Sequence, residues 1–187
     1  ETVREALKLV PAEVTHIAVH DAARPCAPAE LVERMIEGAQ RYQAVVPGIE
    51  VLDTLKRTRE MDRPKDDVDP LARILGDDGE SAGAGRRATI RVAAEAVDRS
   101  ALFAIQTPQI FDAALLRRAY QQKDLTSTDD AGVVERLLAS EKAAEPRVVV
   151  VPGDIRNIKI THPADVTMAR LILGFSGPKE KPAHLRF

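Results

Sequence analysis

The chain has 187 residues, 44% of them hydrophobic, with 27 Lys and Arg against 29 Asp and Glu for a net charge of −2. That is enough apolar material for a packed core of one or two domains, too much for a disordered chain, and the balanced charge supplies no basic field for nucleic acid or an anionic membrane. Four Phe, two Tyr and no Trp argue against an aromatic platform for single-stranded nucleic acid.

Thr2 to Val10 has helical spacing at Val3, Ala6, Leu7 and Val10, and Pro11 stops it. His16 to His20 (HIAVH) is short and β-rich and predicts a buried strand. After a loop carrying Pro25 and Pro28, Ala29 to Tyr42 reads as a helix with Leu31, Met35 and Ile36 on one face. Ala44 to Pro47 reads as the next strand, so the region predicts a βαβ unit and a largely parallel sheet. Glu50 to Arg57 and Ala88 to Val97 are extended stretches. Between them, Thr58 to Arg87 is charged and glycine-rich and predicts a mobile insertion in a β-arm spanning 50–103.

Leu102 to Gln106 is a strand candidate and Phe111 to Gln122 a helix. Ser127-Thr128-Asp129-Asp130 precedes a helix carrying Val133, Val134, Leu137 and Leu138, with Ser127 and Asp130 spaced as a capping box. Arg147 to Val151 predicts a buried strand and Ile155 to Thr161 a second. Pro163 opens a final helix to about Leu173.

Single Cys26 can form no internal disulfide, which fits a reducing compartment and excludes zinc sites built on paired cysteines. No apolar run approaches the roughly 18 residues that span a bilayer. We therefore expect a cytoplasmic protein. The chain begins at Glu1 rather than a methionine, so a plastid setting, with a removed targeting segment, is compatible.

Ligands of open α/β sheets bind beyond the carboxyl ends of strands. That rule selects His20-Asp21-Ala22-Ala23-Arg24-Pro25, Asp53-Thr54-Leu55-Lys56, Gln106-Thr107-Pro108-Gln109 and Asn157-Ile158-Lys159. A carboxylate at Asp21 can bind a metal or a substrate hydroxyl, or merely cap a turn. Arg24, three residues on, tips the balance, because a carboxylate beside a forked guanidinium suits a phosphorylated polyol. Lys159 lies in an apolar run, where a lysine either snorkels out or is aimed at a ligand. The helix start at Thr128 can cap or accept an anion. The four histidines do not cluster at metal spacing. GDDGESAGAG at 76–85 is a poor phosphate loop, since its acids repel phosphate.

Read together, VHDAARP at 19–25, DTLKR at 53–57, VDRSALFAIQTPQIF at 97–111, TDDAGVVE at 128–135 and GDIRNIKITHPADVTMA at 153–169 resemble the 2-C-methyl-D-erythritol 4-phosphate cytidylyltransferases. The resemblance implies a nucleotide-diphospho-sugar-transferase-like (Rossmann-like) α/β fold: a mainly parallel sheet, helices on both faces and a projecting β-arm. It implies that CTP and methylerythritol phosphate give a CDP-alcohol and pyrophosphate, with Mg²⁺, in a homodimer joined by exchanged arms. By resemblance Asp21, Ala22, Arg24, Thr54, Thr107, Thr128 and Lys159 contact the polyol phosphate, with Lys159 and Arg99 the catalytic cations. Arg99 would act in the partner's site. Thr2, in ETVREAL, matches a family serine near the nucleotide. Asp21 is the expected metal ligand, with Asp154 a weaker second.

The family's glycine-rich, CTP-holding loop has no counterpart here, so we expect an N-terminally incomplete nucleotidyltransferase domain, inactive alone. Two rival readings stand beside it: a ribitol-5-phosphate cytidylyltransferase, and a non-catalytic fragment that still dimerises.

Overall fold

Alternation along two strands explains how the core is divided. In the computed structural model, which describes residues 2–62, 89–141 and 148–174, strand β2 (Ala44–Glu50) places Ala44 and Val46 in one apolar cluster and Val45 in another. Strand β6 (Gln109–Asp112) splits Phe111 and Ile110 the same way. Successive strand side chains point to opposite faces, so these short strands serve two helical layers. One layer holds α3 (Ala113–Ala119) and α4 (Asp130–Ser140), through Leu115, Leu116, Val133, Val134 and Leu138. The other holds α2 (Ala29–Ala39), through Leu31, Met35 and Ala39. The α/β architecture with helices on both faces is as expected.

The sheet is more mixed than the βαβ reading implies. Strand β7 (Val149–Pro152) pairs parallel with β2. Strand β1 (His16–Val19) does not neighbour β2; β6 lies between them, antiparallel to both. Strand β5 (Phe103–Ile105) pairs antiparallel with the far half of β2. Val45 faces both Ile110 and Val149, and Gly48 faces both Ile105 and Pro152, so β5 and β6 share one edge of β2 and β7 takes the other.

The expected helix from Phe111 to Gln122 is therefore a strand followed by a helix. The switch comes at Asp112, whose carboxylate caps α3 by accepting from Leu115 N–H at 2.8 Å. The HIAVH strand is not buried: His16 and Ala18 are exposed, as suits a strand paired on one side only among the described residues. Ile36 is half exposed while Leu31 and Met35 are buried.

Helix α1 spans Thr2–Leu7, short of the expected Val10. Helix α4 is capped by Asp129, not Ser127: Asp129 Oδ1 accepts from Gly132 N–H at 3.0 Å. Ile155 to Thr161 is irregular rather than a strand. Pro152 ends β7, and Asp154 Oδ1 accepts from Arg156 N–H at 2.8 Å, which turns the chain. Helix α5 (Pro163–Ile172) starts where the Asp165 carboxylate accepts from the N–H groups of Thr161 and His162, both at 2.8 Å.

The chain divides into two compact units, one of residues 1–50 with 103–187 and the other Val51–Leu102. The second is a two-stranded antiparallel hairpin of β3 (Lys56–Asp62) and β4 (Thr89–Ala96), with a register shift between Arg57 and Thr58. The expected mobile insertion thus loses its first five residues, Thr58 to Asp62, to β3; the rest lies outside the described residues, as does Arg147 of the strand expected from Arg147 to Val151. Among the described residues no helix is long and apolar enough to cross a membrane.

Candidate active site

Strand register brings three of the four selected segments together. Val19 pairs with Gln109, so the end of β1 at His20-Asp21 meets the entry to β6 at Thr107-Pro108. Gly48 pairs with both Ile105 and Pro152, so the exit of β5 at Gln106 meets the exit of β7 at Gly153-Asp154. The Gln106–Gln109 segment is the hub. Gln106 Nε2 donates to the Asp154 carbonyl at 2.9 Å, and Gln106 Oε1 accepts from Asp154 N–H at 3.1 Å. Thr107 Oγ1 accepts from Asp21 N–H at 2.9 Å. Gln109 Nε2 donates to Asp129 Oδ2 at 2.9 Å, and its Oε1 accepts from Ala131 N–H at 3.0 Å.

Asn157 locks the hub from below. It is fully buried, and its Nδ2 donates to the Thr107 carbonyl at 2.8 Å. Its own carbonyl accepts from Arg24 Nη1 at 2.8 Å. The irregular 155–161 segment is held again where Ile160 N–H donates to the Ala23 carbonyl at 2.8 Å. These bonds carry Lys159 over Asp21, with Lys159 Nζ 3.0 Å from Asp21 Oδ2. Arg24 Nε sits 3.4 Å from the same oxygen. Arg24 is mostly covered, at 12% side-chain exposure, while Lys159 keeps 48% and Asp21 36%. The guanidinium is thus a fixed element of the floor and the ammonium faces solvent.

Partial burial opposes ionisation of Asp21, but the Lys159 ammonium and the Arg24 guanidinium outweigh it and hold the carboxyl below the ordinary carboxylate range. Asp130 behaves oppositely. Burial, with the nearby Asp129 charge, raises its pKa against the lowering effect of the Tyr120 hydroxyl that donates to it. Burial first, then that bond to Asp130, pushes the Tyr120 phenol well above its usual value.

Of the residues selected from sequence, Asp21, Arg24, Thr107 and Lys159 form one connected cluster. Ala22 lies in the turn between Asp21 and Arg24 and is exposed. Thr128 is exposed immediately before Asp129, the residue tied to Gln109. Thr2 is exposed in α1; no hydrogen bond among the described residues ties it to the cluster. Thr54 and Arg99 belong to the hairpin unit. Both are exposed, Thr54 ahead of β3 and Arg99 beyond β4, where its carbonyl accepts from Leu102 N–H at 3.0 Å. Sequence reasoning missed His20, Gln106, Gln109, Asp129 and Asn157 as individual contributors. The available signal was polarity: two glutamines flanking Thr-Pro between apolar strands are costly to bury unless bonded.

A resident metal does not fit these side chains. Among the described residues no three His, Cys, Asp or Glu side chains converge as a cation site. The Asp21 carboxylate is faced by two cations, which repel a third. Asp154 is spent on Arg156, with Nε 3.0 Å from Oδ1 and Nη2 2.8 Å from Oδ2. The donor set instead suits an anionic ligand: two cations, one carboxylate and a hydroxyl.

The family model for 2-C-methyl-D-erythritol 4-phosphate cytidylyltransferase matches residues 1–64 and 83–175. The enzyme of that name from Streptomyces avermitilis is 34% identical over 174 residues, covering 92% of this chain and 58% of the relative. Its counterpart from Neisseria gonorrhoeae is 35% identical over 164 residues, covering 87% and 56%. The crystal structure of the Thermus thermophilus enzyme superposes with a TM-score of 0.65 at 31% identity, covering 92% of this chain and 67% of that one. A crystal structure of a 4-diphosphocytidyl-2C-methyl-D-erythritol synthase gives 0.64 at 35% identity, covering 92% and 66%. The chain spans about half the length of the curated relatives it matches. With a family match over most of its length, a fold to correspond and the hub residues on the matched segments, the chain belongs to the 2-C-methyl-D-erythritol 4-phosphate cytidylyltransferase family.

Proposed function

We propose that this chain carries the polyol-phosphate site of a cytidylyltransferase that joins CTP and 2-C-methyl-D-erythritol 4-phosphate, giving 4-diphosphocytidyl-2-C-methyl-D-erythritol and pyrophosphate for isoprenoid synthesis. The observation that carries the reading is the convergence of Asp21, Arg24, Thr107 and Lys159, from three distant segments, on the hub at the strand ends. A phosphate oxygen of the alcohol substrate attacks the α-phosphorus of CTP. One P–O bond forms there, the bond from that phosphorus to the bridging oxygen breaks, and pyrophosphate leaves with the electron pair. A phosphate monoester is mostly dianionic near neutral pH, its second pKa being about 6. The nucleophile therefore needs no general base. It needs alignment and neutralisation of crowded charge, which is the work of Lys159 and Arg24. Asp21 accepts from a polyol hydroxyl. CTP enters as substrate with its own divalent cation, so the Mg²⁺ expected from the resemblance is carried in with the nucleotide.

We further propose a homodimer through exchanged hairpins, with Arg99 and Thr54 serving the neighbour's site, and a cytoplasmic setting in which Cys26 stays reduced. The test is pyrophosphate release by the full-length protein, given CTP with either methylerythritol phosphate or ribitol 5-phosphate. We expect kcat/KM to favour the former by at least about 100-fold, the discrimination reached when polar groups are left unpaired by the wrong ligand. Preference for ribitol phosphate, or no turnover with either, overturns the reading.

A further inference from the structure

Three hydrogen bonds run in series through Thr107 and His20, and both ends of the series have a fixed polarity. Asp21 N–H donates to Thr107 Oγ1 at 2.9 Å. Thr107 Oγ1 lies 2.9 Å from His20 Nδ1. His20 Nε2 lies 3.1 Å from the Arg24 carbonyl oxygen. A carbonyl only accepts, so His20 Nε2 carries a proton, and in a neutral imidazole Nδ1 is then bare. A bare Nδ1 only accepts, so the single hydroxyl proton of Thr107 is directed at His20. Of the two lone pairs on Thr107 Oγ1, one takes Asp21 N–H. The other is left, on a side chain that is partly exposed.

We propose that His20 is a positioning residue that makes Thr107 a hydrogen-bond acceptor toward substrate, so that Thr107 takes a hydroxyl of the alcohol moiety and not an oxygen of its phosphate. A phosphate oxygen facing that remaining lone pair meets no proton; a polyol hydroxyl supplies one. The phosphate falls instead to Lys159 and Arg24, whose groups only donate. His20 thereby helps to sort the two ends of the ligand. This inference rests on the proposed polyol-phosphate substrate.

The test combines a substrate-free spectrum with kinetics on the full-length protein. The ¹⁵N spectrum of the neutral His20 ring should show the Nε2–H tautomer; an Nδ1–H tautomer overturns the proposal. His20→Phe should raise KM for the polyol phosphate about tenfold, the weight of one hydrogen bond, with kcat and the KM for CTP within about twofold. His20→Asn sets an amide oxygen where Nδ1 stands and should recover KM to within about threefold, since it restores that bond. In a Thr107→Val background, His20→Phe should add nothing further. Additive effects in that double variant, or a loss spread equally over kcat and both KM values, overturn the proposal. Because the spectrum needs no substrate, failure of cytidylyl transfer refutes the functional reading, whereas a wrong tautomer with transfer intact refutes this inference alone.

Discussion

Lys159 and Asp130 make the sharpest pair of single-residue predictions, because their environments push in opposite directions. Lys159 is half exposed, with Asp21 its ion-pair partner among the described residues. Lys159→Ala should leave the fold intact, with stability changed by no more than about 0.5 kcal/mol, as for other exposed positions. Turnover in the full-length enzyme should fall at least about 100-fold, the cost of losing one preorganised charge in a transition state. Thermal unfolding and kcat with both substrates saturating check the two halves. Asp130 carries a raised pKa, chiefly from burial. A carboxyl that binds its proton more tightly when folded stabilises the protein below its unfolded pKa, and that contribution is lost as pH rises through the folded value. Ionised Asp130 is therefore a burden at neutral pH, in excess of the favourable charge it offers the first turn of α4. Asp130→Asn keeps an acceptor for the Tyr120 hydroxyl. We expect Tm to rise by about 1–3 °C at pH 7–8 and the gain to vanish near pH 3; a gain larger in acid than at neutrality would contradict the assignment.

The elements that carry these residues depend on one buried amide and one close backbone approach. Asn157→Ala strips the Thr107 carbonyl of its donor, a side chain that is fully buried. The cost should be about 1–3 kcal/mol, visible as a shift in the urea midpoint at constant slope. Gly153→Ala should be at least as harmful. An added Cβ would stand 2.7 Å from Gln106 Oε1 and 3.1 Å from the Gly48 backbone, so either the hub glutamine or the β2–β7 pairing must yield. This level is also where sequence and structure part company. The helices were legible wherever apolar spacing was backed by burial, as at Leu31 and Met35 in α2 or Val133, Val134 and Leu138 in α4. Strand β6 was not, because four residues after a proline give no period, and the Ile110-Phe111 pair runs directly into the helical spacing of Leu115 and Leu116. Ile155 to Thr161 carried a strand-like pattern, yet Ile155 is 81% exposed, since the Asp154 turn and the Asn157 anchor decide that segment. Asp21, Arg24 and Thr107 were legible from their places beyond strand ends, and Lys159 as a cation set in an apolar run, although the strand expected around it is irregular. Their supporting partners were not, because a bond such as Gln106 to Asp154 spans 48 residues and leaves no local trace.

At the scale of the whole molecule we predict that a second copy completes the site, and Arg99 is the residue that tests it. All seven residues of β3 are exposed, and most of β4 with them. An isolated two-stranded hairpin is marginal in water, and its free edges seek a partner. Exchange of hairpins between two copies satisfies both edges symmetrically and would offer the exposed Arg99 to the neighbour. We predict that Arg99 acts in trans. The measurement is complementation: full-length Arg99→Ala and Lys159→Ala subunits, each inactive alone, are mixed under conditions where dimers re-form. If Arg99 serves the neighbour, one site of each mixed dimer carries both lesions. The other combines an intact Lys159 with an intact Arg99 from across the interface, and random mixing of equal amounts should return about a quarter of the wild-type activity per site, with two-fold symmetry fixing which lesions meet. If Arg99 serves its own subunit, every site in the mixture lacks one cation and the activity stays at the level of the separate variants.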